Sequence, residues 1–156
     1  MKIFFFLSFI LSFSFAANSQ SLILIREQLY RAQISGESAD SFYAKMQSVT
    51  ASASALMIGY KGMAAFMLCN YSYNPYNKLK YFNEGKNLLD KAIAINPANS
   101  ELRFLRYTIQ LNAPSFLGYN SNLNDDKKIL QSTTASDDLK KTDKDLFNRI
   151  SNFLNN

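Results

Sequence analysis

Residues 75–114 read PYNKLKYFNEGKNLLDKAIAINPANSELRFLRYTIQLNAP, and this stretch decides the fold. Leu79, Phe82, Leu89, Ala92 and Ile93 recur at helical spacing, while Lys80, Glu84, Asn87 and Lys91 fall on the opposite, wet side. The spacing predicts a helix that Asn74 or Pro75 opens and that stops at Asn96-Pro97, because a proline cannot continue the pattern. Lys86 and Asp90, four apart, are expected to pair across one turn. Asn99 or Ser100 then caps a second helix carrying Leu102, Leu105 and Ile109, closed by Asn112-Ala113-Pro114. A short turn between two amphipathic helices makes them neighbours.

The same period continues towards the N-terminus. Ser19 or Ser21 caps a predicted helix to about Ile34, with Leu22, Ile25, Leu29 and Ala32 on one face. Ser35-Gly36-Glu37-Ser38 interrupts it, Gly36 being the expected stop. A helix over about Ala39 to Val49 carries Phe42, Met46 and Val49. The next, about Ser52 to Asn70, is rich in small residues: Ala53, Ala55, Gly59, Gly62, Ala64 and Ala65. Each glycine costs about 1 kcal/mol of helicity relative to alanine, so the expected return is close approach of a neighbouring helix. A membrane span is argued against by Lys61 in mid-segment.

Towards the C-terminus, Ser115 to Asn120 is a predicted turn. Ser121 to Thr133 is a sixth helix, and Ser136 caps a seventh through about Phe153, with Leu139, Leu146, Phe147, Ile150 and Phe153 as its apolar set. Strand patterns are nearly absent. The expectation is an all-α fold of antiparallel helix pairs, stacked as a short right-handed superhelix or as an irregular helical bundle.

One stretch has the shape of a known family. Gly85, Leu89, Ala92, Ile93, Ile95 and the exit turn Asn96-Pro97-Ala98-Asn99 resemble the second helix and closing turn of a tetratricopeptide repeat. The resemblance implies helix pairs stacked into a superhelix with a concave face, the small residue admitting its neighbour and the proline turning the chain into the next repeat. It also departs from the family: Asn70 to Asn77 is too long for the standard loop, and no second match follows Pro114.

Lys2, the run of Phe, Leu and Ile over Ile3 to Phe15, and the small residues Ser14 and Ala16 have the pattern of a secretory signal peptide, residues 1–16, cleaved after Ala16 or Ala17. Residues 17–156 are then one helical domain, exported to the periplasm or the exterior, with no integral membrane span after cleavage. The formal charge of +5, of which Lys2 contributes one, leaves +4 on that domain, without the clustered basic patch of a nucleic-acid binder. The lone Cys69 precludes an internal disulfide and, lying among apolar residues, is expected as a buried thiol.

Histidine is missing altogether, which removes the usual general base, the commonest zinc ligand and any Ser-His or Cys-His pair. The carboxylates Glu27, Glu84, Glu101, Asp125, Asp126, Asp137 and Asp138 are expected on solvated faces or at helix starts, so a carboxylate-based enzyme ranks last. Asn120 to Asp126 lacks both the glycine and the closing glutamate of a calcium loop. No catalytic, metal or cofactor residue is assigned, and no cofactor is expected. Two surface features remain as candidate binding residues. Tyr71, Tyr73, Tyr76 and Tyr81, interleaved with Asn70, Asn74 and Asn77, combine broad contact area with adaptable hydrogen bonding. Arg103 and Arg106 share a helical face with Gln110, as a stripe for an anion or an ion pair. The leading expectation is a non-catalytic module that binds a protein or peptide partner; the alternative is a small ligand or glycan bound by the Tyr/Asn-rich loop 70–81.

Overall fold

The computed structural model describes residues 21–155, and among these every regular element is helical. The signal-peptide expectation, residues 1–16, lies outside the described residues. Helix α1 spans 21–34, followed by α2 Gly36–Met46, α3 Ala55–Tyr71, α4 Pro75–Ile95 and α5 Ser100–Asn112. A single 3-10 turn, Ser115–Leu117, leads to α6 Leu123–Ala135, α7 Asp137–Thr142 and α8 Lys144–Asn155. No described helix is long and apolar enough to cross a membrane.

The boundaries follow from short polar side chains that satisfy the first free N–H groups of each helix. Asn74 Oδ1 accepts from the N–H of Tyr76 at 2.9 Å, with Pro75 at the first helical position, and Asn99 Oδ1 accepts from that of Leu102 at 2.9 Å. Two expectations are corrected. Gly36 does not stop α1; Ser35, extended at φ −145°, breaks the chain direction and caps α2, whose first residue is Gly36. A Cβ on Gly36 would stand 3.4 Å from the Tyr71 ring, an ordinary contact distance. The helix predicted through Phe153 is two helices, parted at Asp143. That residue leaves the helical conformation, and its carboxylate accepts the Leu146 N–H at 3.0 Å to start α8.

Helices α3 and α4 form the centre. Gly59 meets Leu89 and Ala92, Gly62 meets Gly85 and Leu88, and Phe66 meets Gly85 and Phe82, so the two helices run in opposite directions. The stripe of small residues therefore does what its composition implied: backbone lies against backbone at Gly62 and Gly85. Around this pair a first core gathers Ile25, Leu29, Phe42, Met46, Tyr60, Met63, Leu89 and Leu102, each side chain contributing about 1.5–3 kcal/mol by leaving water. A second, smaller core joins Tyr107, Leu130, Leu146 and Ile150, with Phe104 and Phe153 edge to face at 5.5 Å. Helix α5 belongs to both, presenting Leu102 and Leu105 to the first and Tyr107 to the second.

Candidate functional site

Between the two cores the helices do not close. A cleft of about 1140 Å³ opens among α1, α3, the start of α4, α5, the 3-10 turn and α8. Its floor is apolar: Leu29, Met63, Phe66, Met67, Leu105 and Ile109. Leu79, half-exposed, and Phe116, 85% exposed, stand at its edge. Phe116 is thrust outwards because Pro114 starts the 3-10 turn and Gly118, at φ 61°, ends it in the left-handed conformation that glycine tolerates.

One wall of the cleft is ionic. Arg26 of α1 is buried and binds Glu101 of α5 through two parallel bonds, Nε to Oε1 at 2.7 Å and Nη2 to Oε2 at 2.9 Å. The same guanidinium reaches Asp143 Oδ2 at 2.6 Å and Asp145 Oδ2 at 3.3 Å, and the Tyr60 hydroxyl donates to Glu101 Oε1. Burial by itself would lower the pKa of Arg26, but the bonds to Glu101 and Asp143 outweigh it and hold the charge firmly. Burial, then the neighbouring Glu101, push the Tyr60 hydroxyl up, so it stays protonated. This cluster ties α1, α3 and α5 to the junction of α7 and α8, and so holds α8 as the cleft's far wall. Cys69 lies half-buried in the cleft rather than deep in the core; burial raises its pKa against a smaller opposing effect of Lys78. It is a protonated thiol, not an activated nucleophile.

The four tyrosines divide. Tyr73 is fully exposed and Tyr76 is 77% exposed, both at the α3–α4 connection beside the cleft residues Asn70, Pro75 and Leu79. Tyr71 packs on Gly36 and donates its hydroxyl to the Gln33 carbonyl at 2.7 Å. Tyr81 stacks edge to face on Tyr43 at 5.6 Å, and Tyr43 in turn donates to Glu84. The loop thus offers two free rings, not four.

The arginine stripe has an internal partner. Arg106 donates Nε to Asp126 Oδ2 at 2.7 Å and Nη2 to Oδ1 at 2.9 Å, and Arg103 Nη1 reaches Oδ1 at 2.9 Å. Asp126 is fully buried and Glu101 nearly so, which corrects the expectation that both are solvated or capping carboxylates. Each is buried because arginines on a facing helix supply matching donors. Lys86 and Asp90 do not pair either. Lys86 lies over the Tyr119 ring, 5.4 Å from its centroid, while Asp90 accepts from the Tyr119 hydroxyl at 2.9 Å. Among the described residues no group of three acidic or cysteine side chains is placed to hold a metal.

The cleft itself was not visible beforehand, because its lining comes from six elements, Arg26 at one end and Phe153 at the other, more than a hundred residues apart. Comparison with known protein families, characterised proteins and solved structures returns no match for this chain.

Proposed function

We propose that this chain is an exported, non-catalytic helical module that binds a partner polypeptide in the cleft between α1, α3, α4, α5 and α8. The supporting observation is the cleft itself: an apolar floor of suitable size, edged by Leu79 and Phe116, which are costly to leave in water unless something covers them. Concave apolar grooves lined by helices take up the apolar side chains of a partner segment as anchors. The Gly62–Gly85 contact and the Pro97 turn support tetratricopeptide-like stacking, with the cleft as its concave face. Tyr73 and Tyr76 extend the contact surface at one end. The glycan reading draws less support, since Tyr71 and Tyr81 are engaged within the protein.

The experiment is selection of random displayed peptides on the chain lacking residues 1–16, followed by titration of enriched peptides against edge variants. Leu79→Asp and Phe116→Asp, both at exposed positions, are expected to weaken binding by about tenfold or more with unchanged circular dichroism. Tyr73→Ala or Tyr76→Ala is expected to weaken it less. Failure to enrich any peptide, or peptides indifferent to all four changes, counts against the reading.

A further inference from the structure

The cleft's polar groups are unevenly matched. Its one lining carboxylate, Glu101, is sealed by Arg26 and Tyr60. Lys78 of α4 is exposed and has no carboxylate within ion-pair distance among the described residues. Arg149 of α8 gives Nε to Asp145 at 2.9 Å and keeps both terminal nitrogens available. Two cations on different walls therefore line the opening, Lys78 without a carboxylate partner among the described residues and Arg149 with Asp145 on its Nε side only. The side-chain amides of Gln33, Asn70 and Asn152 also line it and make no hydrogen bond with the described residues.

Resting on the cleft as the binding site, we infer that its occupant is an acidic-apolar polypeptide segment. Its Leu-, Ile- or Phe-type side chains cover the floor, its backbone pairs with the three free amides, and Asp or Glu side chains meet Lys78 and Arg149. The charge of the cleft selects an anionic partner, since a basic segment would meet like charge at both walls. The amides of Gln33, Asn70 and Asn152 lie on three different helices and favour a polypeptide, whose backbone offers donors and acceptors along its length, whereas a fatty acid has polar atoms only at its carboxylate.

Peptides enriched by selection, synthesised with amidated C-termini and labelled with fluorescein, provide the probe. Enriched sequences are expected to hold Asp or Glu beside apolar residues. Lys78→Glu and Arg149→Glu, both at exposed positions, should each weaken binding by about tenfold, and replacing the matching peptide acid by Lys should restore binding to the variant. Affinity should also fall with added salt. Peptides that need Leu79 and Phe116 but lack acids, or that ignore both charge reversals, would overturn this inference and leave the cleft reading standing. Sodium dodecanoate occupying the cleft while no peptide is enriched would overturn both.

Discussion

Gly62 of α3 and Gly85 of α4 lie so close that a Cβ on Gly62 would stand 2.8 Å from the Gly85 carbonyl oxygen, and one on Gly85 would stand 2.9 Å from that of Gly62. No rotamer change relieves a clash with backbone. Alanine at either position gains about 1 kcal/mol of helix propensity, against an overpacking cost of about 1–3 kcal/mol. With the clash on backbone rather than on a flexible side chain, Gly62→Ala and Gly85→Ala are expected to destabilise, by up to about 2 kcal/mol in urea unfolding. Stabilisation by either would mean that the two helices do not touch here.

Arg26 is expected to tolerate loss of its partners poorly. Glu101→Gln removes the buried half of a bidentate pair, and breaking such pairs costs about 3–5 kcal/mol. Asp143, Asp145 and their solvent access soften that loss, so about 3 kcal/mol is expected from thermal and urea unfolding. Asp143→Ala should cost about 2 kcal/mol, since it removes both a charge-assisted bond and the cap of α8.

At Asp126 the expected pattern is non-additive. Asp126→Asn leaves buried Arg106 with only Asp90, at 3.6 Å, to offset its charge, at a cost of about 3 kcal/mol. Adding Arg106→Met to Asp126→Leu should recover much of it, because Arg103, less deeply buried, can turn to water. A double-mutant cycle measures the coupling, and additive losses would show the pair to be independent.

The acid limb of stability should report Asp143. Burial alone would raise its pKa, yet the Arg26 bonds and the Leu146 N–H together lower it. The unfolded chain therefore binds the proton more readily than the folded one, so the contribution is present above the ordinary carboxylate value of about 3.9 and is lost as the pH falls below it. Unfolding free energy followed from about pH 6 to pH 2 should drop, and Asp143→Asn should flatten part of that drop.

Much of the helical architecture was legible from the period of apolar residues, and Asn74, Pro75, Asn99 and Pro97 marked their boundaries closely. Gly36 misled because the neighbouring Ser35 makes the break, extended and capping α2, and Gly36 becomes its first residue. At the Asp143 break the carboxylate both caps Leu146 and bonds Arg26, a partner far away in sequence. Buried Glu101 and Asp126 look like surface carboxylates until their arginines are placed opposite. Tyr119, in a predicted turn, packs against Phe66 and Phe82 and is buried. The cleft is a property of spacing between helices, which no local pattern encodes.

The methionines offer a direct measurement of where a partner sits. Met63 and Met67 line the cleft, whereas Met46 and Met57 do not. With carbon-13-labelled methionine methyl groups, titration of a selected peptide should move the NMR signals of Met63 and Met67 and leave those of Met46 and Met57 in place. Shifts confined to Met46 and Met57, or a bound peptide that moves none of the four, would contradict the cleft as the binding site.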